Sequence, residues 1–148
     1  MNIDFTKQEY QLLLELAFLG QWMLLAHQSE PVEDSPHEML AQKIMSHANE
    51  MGCDTWVEAS QELNGYYPTQ EFEEHSGVFD AIDRYNDNSF WDELVIRLAE
   101  RDAQANAESR GSRISGLEEL RELAAPFENK YADEFYTNGL DNLFLRGS

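Results

Sequence analysis

Five times along this chain a Ser or Thr is followed three residues later by Glu or Asp: Thr6/Glu9, Ser35/Glu38, Thr55/Glu58, Ser89/Asp92 and Ser115/Glu118. That spacing is the capping box, in which a hydroxyl accepts from the third helical amide while the acidic side chain there reaches back to the cap. One match is common by chance in a Glu-rich chain. Five, most of them followed by apolar residues at helical spacing, are a stronger sign of a helical fold. Thr6 adds a hydrophobic staple, Phe5 against Tyr10, and Ser35 is followed by Pro36, whose missing N–H costs nothing in a first turn.

The spacing predicts an all-α fold, a compact bundle of about five to six helices making one domain over 1–148 with a short packed C-terminal tail. Helix 1 should run from about Lys7 to Gln28. Leu12, Leu16, Leu19 and Met23 form one stripe, Leu13, Ala17, Gly20 and Leu24 the next, and Leu14, Phe18, Trp22 and Leu25 widen the surface further. A helix apolar round most of its circumference is central to its bundle or shared with a second subunit, so Leu14, Phe18 and Leu25 should show little exposure.

Residues 29–34, with Pro31, read as a loop. Helix 2 should span 36–51, end at Gly52 and bury Leu40, Ile44, His47 and Met51. A short helix over 56–63 should stop at Asn64-Gly65, before an aromatic loop, Tyr66-Tyr67-Pro68. Helix 3, 70–85, presents Phe72, His75, Phe79 and Ile82, and 86–89 reads as a polar turn. Helix 4 begins at Phe90-Trp91 and buries Trp91, Leu94, Val95 and Leu98. Residues 103–115 lack an apolar stripe and read as a fraying helix end or mobile loop. The last helix carries Leu117, Leu120, Ala124, Phe127, Tyr131 and Phe135 in one phase across Pro126, which predicts a kink rather than a break. The tail 140–145 (LDNLFL) should pack back, and Arg146-Gly147-Ser148 reads as an appended end. The expected core includes Leu16, Ile44, Phe79, Leu94, Leu120 and Phe127.

Bulk properties exclude several functional classes. A 42% hydrophobic content with 3 Trp, 6 Tyr and 8 Phe is too apolar for a disordered acidic tail. The longest apolar stretch, 12–26, is interrupted by Glu15, Gly20 and Gln21 and falls short of the ~20 residues that cross a bilayer. Cys53 is the single cysteine, so no internal disulfide forms; with no export signal at the N-terminus, a cytoplasmic location is expected. Ten Lys and Arg against 29 Asp and Glu leave a net charge of −19. Phosphate backbones and anionic membranes repel such a surface, so direct nucleic-acid and membrane binding are disfavoured.

Chemical signatures are sparse. The sequence holds no GxGxxG, P-loop, GxSxG, HExxH, CxxC pair or EF-hand spacing. Cys53 reads as a small buried hydrophobe. His27, His47 and His75 each fall on or beside an apolar stripe. With alternating helix directions, His47, Glu50, Glu71 and His75 would share one end of the bundle, His27 the other. Two imidazoles and two carboxylates suit a divalent first-row metal, although no Glu-x-x-His pair, the bundle di-iron signature, occurs. The opposing reading makes them core-edge histidines bonded locally. Segment 90–102 joins Trp91 to Arg97 and Arg101, residue types enriched at binding hot spots; a salt-bridged face with Glu93 leading Arg97 explains the arginines equally.

The reading the sequence favours is a non-enzymatic acidic protein that binds a basic, nucleic-acid-handling protein partner, as an inhibitor, immunity protein or antitoxin would, without a cofactor. Candidate contacts are Glu71, Glu73 and Glu74 at the start of helix 3 and Glu118, Glu119 and Glu122 in the last helix, and helix 1 is the candidate homodimer face. A metal-dependent hydrolase built on His47, Glu50, Glu71 and His75 is the alternative, and a small protein whose acidity serves only solubility is the third.

Overall fold

The computed structural model describes residues 3–26 and 35–144. His27, the loop at 29–34, Leu145 and the Arg146-Gly147-Ser148 end lie outside the described residues. The fold is predominantly α, with five helices and one two-stranded sheet among the described residues. The chain divides into two compact units, Met1–Asp83 and Arg84–Ser148.

In the first unit, α1 (Lys7–Leu25) opens on the expected capping box: the Glu9 amide donates to Thr6 Oγ1 at 3.3 Å, and the Thr6 amide to Glu9 Oε2 at 2.8 Å. Those bonds, the backbone one foremost, hold the Glu9 carboxyl below its usual range. The buried face of α1 is Tyr10 and Leu14, with Phe18 beside them, whereas Leu12, Leu16 and Met23 are exposed. Leu16, expected in the core, stands 66% exposed on nearly the opposite side of the helix from Leu14. Phe18 and Leu25 are half-buried.

α2 (Pro36–Met45) ends earlier than expected, and the chain continues in tight turns to Gly52, whose φ of +68° only glycine adopts freely. Its buried line is Ala41 and Met45, continued by Ala48 in the turns, one position out of phase with the expected Leu40, Ile44, His47 and Met51. Leu40 and His47 are exposed, and Ile44 and Met51 are half-buried. The shift follows from α1: the Tyr10 hydroxyl donates to the Ile44 carbonyl at 2.5 Å, and small Ala41 and Ala48 let the chains approach.

A β-hairpin replaces the expected helix over 56–63. β1 (Val57–Ser60) pairs antiparallel with β2 (Gly65–Pro68), Ala59 opposite Tyr66 and Ser60 opposite Gly65. Asn64 carries a positive φ of 49°, so Asn64-Gly65 works as a hairpin signal rather than a helix stop. Gln42 holds the hairpin to α2: its amide accepts from the Tyr66 N–H at 2.7 Å and donates to the Tyr66 carbonyl at 2.9 Å. A Cβ at Gly65 would meet Gln42 Oε1 at 3.0 Å, so Gln42 would have to shift by a few tenths of an ångström.

α3 (Gln70–His75) is capped by Thr69, which accepts from the Phe72 amide, and Phe72 is 2% exposed under Trp56 and Phe18. The chain then breaks at Ser76, in extended conformation, and Gly77, not at 86–89. Ser76 is buried with no hydrogen-bond partner for its hydroxyl among the described residues. A buried donor left unpaired costs stability that its removal recovers. Ser76→Ala is therefore expected to leave stability unchanged or raise it by about 1 kcal/mol, measured by urea melts; a loss above that would show the hydroxyl to be engaged.

α4 (Val78–Ser109) begins in the first unit, where Val78 and Ile82 are buried, and supplies the first helix of the second. The polar quartet 86–89 lies inside it, with the Asp87 carboxylate accepting from Trp91 Nε1 one turn on at 3.2 Å. Residues 103–109, expected to fray, are helical, and Ala103 and Ala107 are buried. α5 (Leu117–Asn138) runs without interruption through Pro126 and returns along α4, burying Leu120 and Ala124 with Ala99 and Ala103. Leu94 and Phe127 are half-buried. Ser115 gives both its amide and its hydroxyl to Glu119, at 2.7 and 2.6 Å, rather than to the expected Glu118. The described part of the tail, 140–144, does not pack back: Leu140 and Leu143 are exposed and Phe144 is 79% exposed. Polar bonds hold that end instead, Asn138 and Asn142 both donating to Glu134.

Candidate functional site

The charge is unevenly divided. Met1–Asp83 contains 16 of the 29 carboxylates against only Lys7 and Lys43, which gives it −14 of the net −19. Neither lysine pairs with a carboxylate among the described residues; the ion pairs found there are His47–Glu50, Arg97–Glu93 and Arg101–Asp102. Glu71, Glu73 and Glu74 are all exposed on α3, and the side-chain bond there is Gln70 donating to Glu74 at 2.7 Å. In the second unit Glu118 and Glu122 are exposed, while Glu119 is committed to Ser115, whose side-chain and backbone bonds hold its carboxyl below the usual range.

The four metal candidates are not brought together by any shared contact. His47 Nδ1 bonds Glu50, its neighbour one turn on, at 3.0 Å. His75 Nδ1 bonds the Glu71 backbone carbonyl in its own helix at 3.1 Å. Among the described residues no group of three His, Cys, Asp or Glu side chains is placed to hold a metal. Cys53 is 1% exposed, and burial raises its thiol pKa against the opposing pull of Lys7, the opposite of what a nucleophile needs.

Two features of the second unit escaped the sequence reading. The first is a polar lock between its helices. The Tyr131 hydroxyl makes a short hydrogen bond to Asp102 Oδ2, and Arg101 Nη2 donates to that hydroxyl at 3.1 Å while also pairing with Asp102 Oδ1 at 2.7 Å. Partial burial pushes the Asp102 carboxyl upward, but Tyr131 and Arg101 outweigh it and hold it below its usual range; the Tyr131 phenol is raised by burial and then by Asp102. The second is an aromatic ladder. Phe90 lies edge-on to Trp91 at 5.0 Å, Trp91 reaches Phe135 at 5.8 Å, and Phe135 stacks on Tyr131 at 5.9 Å, with the Lys130 ammonium over the Tyr131 ring.

Beside the ladder a cleft of about 680 Å³ opens between α4 and α5, floored by Trp91, Val95, Ala132 and Phe135. Tyr136, at its edge, is 94% exposed. The available signal was the spacing of Trp91 and Val95 on one helix and Phe135 on the other, which the sequence assigns to the core.

The chain matches no protein-family model, no curated protein and no solved structure. No helix among the described residues is long and apolar enough to cross a membrane.

Proposed function

We propose that the protein acts by association: its carboxylate-rich surface binds a basic protein partner of the kind that handles nucleic acid, as an inhibitor, immunity protein or antitoxin does. The observation that carries this reading is the imbalance of the first unit, 16 carboxylates against two lysines, with no ion pair to either lysine among the described residues. Uncompensated surface charge raises the rate at which an oppositely charged partner arrives, and carboxylates take the place of phosphates on a basic surface. Such charge also opposes compaction, so its retention is accounted for by a partner that neutralises it.

The test is kinetic. A basic partner recovered by affinity capture at low salt should associate fast at about 0.01 M salt and far more slowly at about 0.1 M, because the screening length falls from roughly 30 to 10 Å, while dissociation changes less. Glu73→Lys combined with Glu118→Lys should slow association without altering the melting temperature. Glu119 is left intact because its carboxylate is bonded to the amide and hydroxyl of Ser115. Equal association rates for the variant, with no response to salt, would sink the reading. The homodimer expected through α1 keeps its motive in exposed Leu12, Leu16 and Met23, and sedimentation of the same samples reads it directly.

A further inference from the structure

The cleft of the second unit has an apolar floor and an acidic rim. Trp91, Val95 and Phe135 supply the floor, and Asp92 and Glu128 flank it. A groove between antiparallel helices is the shape that a third helix fills, its side chains seated between the rows of the other two. Tyr136, 94% exposed at the margin, is a large, rigid amphipathic ring of the type that anchors interfaces.

Charge selects the occupant. Neither Asp92 nor Glu128 has a hydrogen bond or ion pair among the described residues, whereas the arginines further along α4 are already held, Arg97 by Glu93 and Arg101 by Asp102. A cation brought by the occupant would meet these two carboxylates and the faces of Trp91 and Tyr136. A second copy fits poorly. Its exposed apolar stripe on α1 lies near Glu9 and Glu15, and each copy carries −19.

We infer that this groove receives an amphipathic helix of a partner protein, with apolar anchors on one face and Lys or Arg beside them. The inference rests on the reading of the protein as a binder of basic partners and specifies where and in what form such a partner is held.

The experiment uses the full chain and three labelled synthetic peptides: an amphipathic Leu/Ala/Arg helix, the same helix with Glu for Arg, and the Leu/Ala/Arg composition in scrambled order. Fluorescence anisotropy should show the amphipathic basic peptide binding, the acidic one not binding, and the scrambled one binding about tenfold more weakly or worse. Tyr136→Ala, and separately Asp92→Asn with Glu128→Gln, should each weaken the amphipathic peptide by about tenfold or more at an unchanged melting temperature. The inference is overturned if the scrambled peptide binds as tightly, if Tyr136→Ala binds like the parent, or if Tyr136→Ala instead abolishes a dimer seen by sedimentation, which would make a second copy the occupant. Loss of binding in Glu73→Lys with Glu118→Lys but not in the groove variants would keep the acidic-surface reading and remove the groove. Groove-dependent binding that ignores both salt and charge reversal would do the opposite.

Discussion

Replacing Phe72 by alanine is expected to destabilise the protein by about 3–5 kcal/mol, while Leu16→Ala should change stability by less than about 0.5 kcal/mol. Phe72 is 2% exposed, with its ring 5.4 Å from both Trp56 and Phe18, and Phe18 in turn lies 5.5 Å from Phe79. It joins α1, the hairpin and α3 at one point. Deleting the ring removes its transfer free energy and leaves a cavity among aromatic side chains too large to collapse into it. Leu16 is 66% exposed, so truncation removes little buried surface. Urea melts of the two variants, followed by tryptophan fluorescence because Trp56 lies against Phe72, separate these outcomes. A loss of several kcal/mol in Leu16→Ala would mean that its face of α1 is covered in solution, and would support the homodimer.

That contrast marks where the sequence was legible and where it was not. Helix starts were legible in part: Thr6 with Glu9, and Pro36 in the first turn of α2, act as expected. Ser35, however, makes no side-chain capping bond, Thr55 leads into β1 and Ser89 lies inside α4. The face that α1 buries is not local. Leucines occur all round the helix, so periodicity cannot choose a face. Tyr10 decides it, because its hydroxyl finds the Ile44 carbonyl only when the Tyr10–Leu14 side faces α2. The hairpin was missed for a related reason. Asn64-Gly65 serves equally as a helix stop or a strand turn, and what selects the strand is Gln42, a residue more than twenty positions away that satisfies both backbone groups of Tyr66.

Alanine explains the misreading of 103–109, while 110–115 lie outside any helix. Ala99, Ala103, Ala107 and Ala124 are all buried, yet each carries so little hydrophobic signal that the stretch reads as unpatterned. Their small size is what admits Leu120 between the helices. The exposure of the acidic candidates was legible because surface charge needs no tertiary partner, and all six glutamates are exposed. Their availability was not, since only the structure separates Glu119, bound to Ser115, from Glu118 and Glu122. The groove was illegible for the converse reason. Trp91 and Phe135 look like core residues, and only the course of α5 along α4 turns part of their surface into a concave wall.

The alkaline limb of the stability curve should carry the signature of Tyr10. This side chain is 3% exposed, and burial, assisted by Cys53 and Glu50, pushes its phenol up to about 12. In the unfolded chain a tyrosine titrates near 10. Between about pH 10 and 12 the unfolded chain releases this proton while the folded chain retains it, so the folded state binds more protons and stability falls as pH rises. The contribution is fully present below the unfolded pKa and is lost as pH passes through the folded one, amounting to about 3 kcal/mol. Tyr10→Phe lacks the titrating group. At neutral pH it should be less stable by about 1 kcal/mol, for the lost hydrogen bond to Ile44. As the pH rises its stability should fall less steeply, so the two curves cross between about pH 10 and 12, above which Tyr10→Phe is the more stable. Denaturant melts across that range, taken as the difference between the two proteins, cancel the titration of the other tyrosines and the lysines. Parallel curves would mean that the Tyr10 phenol ionises as easily in the folded protein as in the unfolded chain, and that the contact joining α1 to α2 is open to water.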